Sequence, residues 1–291
     1  MPDKKAVPAG LYDKEYFHLR GGEKRSEMTF LDQFLELYPG NPSQAFWRAI
    51  EAEALLSEKF ASPLLDLGCG DGCFASVLFG RLGIKPAAGC DLSAVKVEKA
   101  GALGLYCEAV TADILKLPYK DGSFAAVFSN CVLEHIPDDV AALKEAARVL
   151  GPGGTFIFTV PSENFIASLP AYGKLRQKGL EDEARAYAAR IDKRLEHHHY
   201  RSPGEWKDLL HRAGLNLGKT VYYLNADAER LWIRFLEAEE WAGGLPWPLD
   251  GPFRLALKAW AGIVMRAPRL WKAVEGGGGG GLMIVAVKEV K

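Results

Sequence analysis

The sequence is poor in sulfur and carries almost no net charge. Only five cysteines, Cys69, Cys73, Cys90, Cys107 and Cys131, stand among 291 residues. An odd number of them, mostly in apolar or glycine-rich segments, does not make a disulfide framework and points to reduced thiols in a cytoplasmic setting. Cys69 and Cys73 form a C-x-x-x-C pair, but no second pair stands at zinc-ligand spacing, so no metal ion is expected there. A net charge of −1 provides no global field for nucleic acid. No apolar run approaches the roughly 18 residues that a membrane span needs. The first residues, MPDKKAVPAGLYDKEYF, lack the apolar stretch of a secretory signal, so none is expected. There is no internal repeat. The single low-complexity stretch, Glu275 to Gly281 (EGGGGGG), reads as a flexible linker.

What is present is ordinary globular material: 48% hydrophobic and 25% charged residues, enough for a sizeable core. Residues 43–60 carry apolar side chains at helical spacing, with Ser43 as the expected N-cap. After them, strands and helices alternate with short links. PLLDLGC reads as a strand, GDGCFASVLFGRLG as a glycine turn into a helix, PAAGCDL as a strand, and SAVKVEKAGALG as a helix capped by Ser93. LYCEAVTAD and SFAAVFSNCVL are two more strands. A helix from Asp138 to Leu150 is expected to stop at GPGG, before the strand TFIFTVP. This alternation predicts a doubly wound, mostly parallel α/β sheet with a ligand crevice at the strand C-terminal ends.

Beyond Pro161 the rhythm changes. Residues 162–196 are polar and helical. SPGEWKDLLHRAG predicts a helix with Ser202 as N-cap, Pro203 in its first turn and Gly214 closing it. LNLGKTVYYL and LMIVAVKEV are two late strands, expected to pair as an antiparallel, hairpin-like edge split by an insertion at 225–281. The domain division follows: 1–60 a helical lid, 61–161 the core, 162–202 a helical insertion near the acceptor, and 203–291 the C-terminal part of the core.

The chemistry gathers at strand ends. Asp66 to Gly72 (DLGCGDG) is a glycine loop that permits close backbone approach and opens a helix whose free N–H groups favour an anion. Asp91 ends the second strand, where a carboxylate can accept two ribose hydroxyls. Asp113 ends the third, within reach of an adenine amino group. The fourth runs into NCVLEHIPDD.

LLDLGCGDGCFA, GCDLS, TADILKLPYKDGSFAAVFSNCVLEHI and RVLGPGGTFIFTVP together resemble class I S-adenosylmethionine-dependent methyltransferases of the small-molecule, ubiquinone/menaquinone-type group. The resemblance covers residues 60 to 161. It implies a seven-stranded Rossmann-like sheet with an antiparallel last strand, plus helical insertions. It implies S-adenosylmethionine as cofactor and S-adenosylhomocysteine as product. By position, it implies that Asp66, Gly68, Cys69, Gly70 and Gly72 hold the methionine part. Asp91 would take the ribose, Leu92 would pack on the adenine, Asp113 and Ile114 would meet its edge, and the Asn130 backbone would lie near the methionine amino group. Cys90 stands before Asp91 where relatives carry an aliphatic residue; a small buried thiol serves the same packing role.

The candidate catalytic groups are Glu134, His135, His197, His198 and His199. His135 is a candidate base, since imidazole titrates in the useful range, and equally a structural histidine that bonds the loop backbone. Three adjacent histidines cannot all point at one ion, and ligands from elsewhere would be needed, so no metal is expected. The implied reaction is methyl transfer to a small-molecule acceptor, O-directed, with a lipid-linked or quinone-like acceptor in view. The alternative is a cofactor-binding protein without transfer activity, a sensor or partner subunit. SNCV, in place of an N-P-P-Y tetrapeptide, argues against nucleic-acid substrates. Tyr12, Tyr16, Phe17, Phe46 and Trp47 are candidates for a lid, although Phe46 and Trp47 fit the apolar face of the first helix better. Residues 253–274 are basic, aromatic and amphipathic. They suit either peripheral contact with an anionic membrane or packing against the acidic helix before them.

Overall fold

A computed structural model describes residues 28–243, 250–274 and 277–290. Tyr12, Tyr16 and Phe17 lie outside these residues. Helices α1 (Phe30–Leu37) and α2 (Pro42–Leu55) precede β1 (Leu64–Leu67), α3 (Cys73–Leu82), β2 (Ala88–Asp91), α4 (Ala94–Ala102), β3 (Glu108–Thr111) and β4 (Phe124–Asn130). A 3₁₀ turn (Leu133–His135), α5 (Asp139–Val149) and β5 (Leu150–Pro161) follow. Then come α6 (Phe165–Ser168), α7 (Pro170–Gln177), α8 (Glu181–Leu195), α9 (Pro203–Arg212) and β6 (Leu215–Tyr223). The chain continues through α10 (Ala226–Gly243), α11 (Asp250–Val264) and a 3₁₀ turn (Pro268–Trp271) to β7 (Gly281–Lys288).

The seven strands form one sheet in the order β3-β2-β1-β4-β5-β7-β6. β1 to β5 pair in parallel, and β7 runs antiparallel between β5 and β6. The late strands are therefore paired as expected, antiparallel at one end of the sheet and split by the insertion, with β6 at the edge and β7 covered between it and β5. The LMIVAV run of β7 is apolar throughout because both faces are covered. On one face Phe46, Phe79 and Phe128 pack beneath α1 to α3. On the other, Leu143, Trp206 and Leu210 pack from α5 and α9.

Local chemistry sets the helix starts. The Ser93 side chain accepts the Lys96 N–H, and Ser202 with Glu205 makes a complete capping box. Ser43 is not a cap. Asn41 holds that position, with Pro42 in the first turn, while Ser43 is buried and gives both its N–H and its hydroxyl to Glu239 of α10 at 2.6 Å. GPGG does not interrupt the chain as a loop, because β5 already begins at Leu150.

The end of the glycine run is also not a linker. The Ser162 N–H donates to the Gly280 carbonyl at 2.9 Å, and Gly280 N–H donates to Leu224 O at 3.0 Å. A Cβ on Gly281 would sit 2.2 Å from the Tyr223 ring, so glycine is required there by close packing. No helix among the described residues is long and apolar enough to cross a membrane.

Candidate active site

Parallel strands deliver their C-terminal ends to one edge, and two adjoining hollows lie there. The first is a cleft of about 370 Å³ lined by the glycine loop, Asp66, Asp91, Lys96, Asn130 and Arg48. The second, of about 270 Å³, is walled by Trp47, Phe165, Trp232 and Leu236, with Cys131, Glu134, His135 and His197 supplying its polar side. Gln44, Arg48, Cys131 and His135 line both.

The loop is held from beneath. Gly68 has φ +78°, and a Cβ there would meet the Val132 side chain at 2.4 Å. Asp91 accepts the Gly70 N–H at 3.0 Å and the Ser93 N–H at 2.9 Å, one on each oxygen. Each oxygen keeps lone pairs for a further donor such as a ribose hydroxyl. Asp66 is buried and accepts the Tyr106 hydroxyl at 2.6 Å. Burial pushes its carboxyl up to about 7 despite that bond, and the Asp91 charge adds to the rise. Leu92 is 73% exposed beside Asp91, an open apolar surface of the kind an adenine ring covers. Asp113 is exposed, and its Oδ1 accepts the Leu115 N–H, while Ile114 is buried against the core. The described cleft lining does not include Gly72, Leu92, Asp113 or Ile114: Gly72 sits at the start of α3 against Ala100 and Leu103, and the other three stand on the strand ends outside the cleft. The donor set, the loop and the cleft size fit a nucleoside cofactor with an amino-acid tail.

The histidine row is sorted by the fold. His197 turns into the second hollow. His198 is exposed and its N–H donates to the Glu134 carbonyl. His199 bonds the carbonyls of Ile136 and Pro137 through Nε2 at 3.1 Å and accepts from Arg201 at 3.3 Å, so it braces the turn. His198 and His199 are therefore not brought to the hollow. The rings of His135 and His197 lie 5.1 Å apart between centroids. His135 Nδ1 donates to the Glu196 carbonyl at 2.9 Å, so the ring also bonds the loop backbone. Burial lowers the pKa of both imidazoles, that of His197 to about 3, with the neighbouring His135 adding to the effect. Glu134 is buried and pushed up to about 8 by desolvation, its Oε2 lacking any hydrogen-bond partner.

Sequence reasoning missed Glu51 and Arg48. Glu51 is fully buried in α2 and accepts from Trp47 Nε1, Arg48, Asn130 Nδ2, Cys131 Sγ and the Tyr223 hydroxyl. It ties the first helices to the end of β4, where Cys131 adopts φ +50°. The signal was present: Arg48 and Glu51 stand three apart, at ion-pair spacing, in a helix that is otherwise largely buried. Phe46 is fully buried as expected, whereas Trp47 is a wall of the second hollow.

Residues 65–158 match the methyltransferase domain family. This segment is a class I S-adenosylmethionine-dependent methyltransferase domain. The chain is 37% identical over 124 residues to sarcosine/dimethylglycine N-methyltransferase of Halorhodospira halochloris, covering 40% of this chain and 44% of that protein. It is 36% identical over 115 residues to demethylmenaquinone methyltransferase of Thermus thermophilus, covering 38% and 52%. The chain thus spans about half the length, or less, of these curated relatives. Its fold is shared with a geranyl diphosphate methyltransferase solved in complex with S-adenosylmethionine, at a TM-score of 0.51 and 18% identity over 86% of this chain and 91% of that one. The methyltransferase domain supplies the cleft and the turn after β4. The second hollow is completed by α2, α6, α10 and the segment before α9, all outside the matched residues.

Proposed function

We propose that this chain moves a methyl group from S-adenosylmethionine to the hydroxyl oxygen of a small, largely apolar acceptor. The observation that carries the reading is the second hollow: an aromatic chamber that shares four lining residues with the cofactor cleft, with three polar groups gathered on one side. Bound in the cleft, the cofactor supplies an electrophilic methyl on a sulfonium. Asp66, Asp91, the loop from Gly68 to Gly72 and the strand-end residues Leu92, Asp113, Ile114 and Asn130 are the groups proposed to hold it.

The chain itself does the positioning. Trp47, Phe165, Trp232 and Leu236 exclude water and orient an apolar body. Glu134, His135 and His197 then face its polar end with lone pairs that can accept a hydroxyl proton. Alignment of two reactants in this way can supply up to about 7–11 kcal/mol of the barrier reduction.

A lipid-linked or quinone-like acceptor is supported by the surface around α11. Leu255, Trp260 and Ile263 of α11 are 69%, 50% and 74% exposed, and Trp241 of α10 is 62% exposed. Lys258 stands on the same helix, and Arg269 and Lys272 are exposed in the segment after it. The Phe235 and Trp260 rings stack at 4.8 Å, so α11 packs on α10 and still presents exposed apolar side chains. Trp232 and Leu236 of the same α10 line the chamber. We infer that this surface rests on an anionic bilayer, beside the chamber.

The test is conversion of S-adenosylmethionine to S-adenosylhomocysteine in a screen of hydroxylated acceptors. Phenolic, apolar acceptors should stimulate it and small zwitterionic amines should not. Stimulation by amines alone would reject the O-directed reading. Saturable cofactor binding with no acceptor stimulating turnover would favour a sensor or partner subunit.

A further inference from the structure

Glu134, His135 and His197 each present an atom able to ligate a metal ion, and these atoms lie within 4.8 Å of one another. The side chains come from two segments, the turn after β4 and the stretch between α8 and α9. Both imidazoles are fixed from behind. A carbonyl can only accept, so His135 Nδ1 carries the proton it shares with Glu196 O at 2.9 Å, and its Nε2 is left bare. The Tyr200 hydroxyl gives its proton to Asp192 at 2.7 Å. His197 Nδ1, 3.1 Å from the Tyr200 oxygen, therefore donates to it, and its Nε2 is bare as well. Imidazoles backed in this way by a carbonyl or a phenol–carboxylate chain are the usual setting of metal-bound histidine.

The third group makes the case independently. Glu134 Oε2 is buried with no hydrogen-bond partner. Its Oε1 lies 3.9 Å from His135 Nε2, beyond hydrogen-bond reach. A buried acceptor left unsatisfied costs about 1–3 kcal/mol, so such a group calls for a cation or a donor. Arg48, the nearby cation, is paired with Glu51 at 2.6 Å, which neutralises most of its opposition to a second positive charge.

The geometry points to one divalent transition-metal ion, of the Zn²⁺ or Mn²⁺ type, held by Glu134, His135 and His197. Two imidazoles and one carboxylate are a ligand set that leaves coordination positions open. Bonds of roughly 2.0–2.2 Å require the three side chains to close in by about an ångström each. The open side faces the aromatic chamber. The acceptor's hydroxyl oxygen becomes a further ligand there, and its proton leaves to solvent more readily than from the free alcohol or phenol. This role for the ion rests on the chamber being the acceptor site; ion binding itself does not. The expectation of no metal was drawn from the histidine row, whose members indeed do not converge. The partners of His197 come from the turn after β4 instead.

The experiment uses untagged full-length protein stripped with a chelator, titrated with Zn²⁺ by calorimetry and with Co²⁺ by visible absorption. S-adenosylhomocysteine is titrated in parallel. The expected result is one ion per chain, with His197→Ala and Glu134→Gln each weakening it by at least about 100-fold, more than loss of an outer-shell group would. His198→Ala should bind as wild type, and all variants should keep their S-adenosylhomocysteine affinity. Absence of stoichiometric binding overturns the proposal, as does binding that survives both ligand substitutions. Loss of S-adenosylhomocysteine binding by the wild-type protein would strike the cofactor reading instead.

Discussion

His135 and His197 lie side by side on the polar side of the aromatic chamber, their ring centroids 5.1 Å apart, one carried by the turn after β4 and the other by the lead-in to α9. Neither segment alone makes a site. The methyltransferase domain brings His135, the 162–202 insertion brings His197 and Phe165, and α2 and α10 bring the rest of the chamber wall.

That pairing separates the histidines by experiment. His197→Ala and His135→Ala should each lower kcat by about 10²-fold or more, the loss expected when a group that handles the acceptor's proton or holds its oxygen is removed, and His197→Ala, whose site lies outside the cofactor cleft, should leave S-adenosylhomocysteine affinity unchanged. His198→Ala should leave kcat unaltered, since that ring is exposed and only its backbone N–H is used. Steady-state kinetics with calorimetry on the same preparations checks both statements.

Glu51 should be a large stability determinant. Its replacement by Ala strands Arg48 and removes the acceptor shared by Asn130, Cys131 and Tyr223. Arg48 keeps about a fifth of its side chain exposed, so the loss should lie at or below about 3–5 kcal/mol, the cost typical of a fully buried ion pair. Urea unfolding should show this as a lower midpoint, with Arg48→Met/Glu51→Leu recovering part of it.

Much of this was legible in the sequence. The strand–helix rhythm, the Ser93 and Ser202 caps and the glycine loop follow from local rules, and all lie close in sequence to what they control. The failures involve distance. Ser43 satisfies a capping pattern, yet Glu239 from α10 claims both its hydrogen-bonding groups. The glycine run looks like a linker because its composition is simple, yet Gly281 is needed for the close approach of Tyr223. Which histidine of the row turns inward depends on the α8–α9 path, and no periodicity records that.

Glu229 of α10 provides a pH signature. It is fully buried, neither oxygen has a hydrogen-bond partner, and desolvation raises its carboxyl to about 8, with the nearby Ser168 hydroxyl offsetting only part. Between the unfolded value near 4.5 and about 8 the folded chain keeps a proton that the unfolded chain has lost. Stability therefore falls as pH rises through that window. Glu134 and Asp66 act in the same direction. Glu229→Gln removes one of these titrations. Its advantage over wild type should grow from pH 5 to pH 8, by on the order of 1–3 kcal/mol, in chemical denaturation at each pH.

The central claim is that the cleft beneath the glycine loop holds S-adenosylmethionine with Asp91 on its ribose. Calorimetric titration of S-adenosylhomocysteine into wild type and Asp91→Ala tests it most directly. One site per chain is expected, weakened in the variant by about 1.5–3 kcal/mol, the range for hydrogen bonds to a charged group. Equal affinity in the two proteins, with the variant folded, would contradict the assignment.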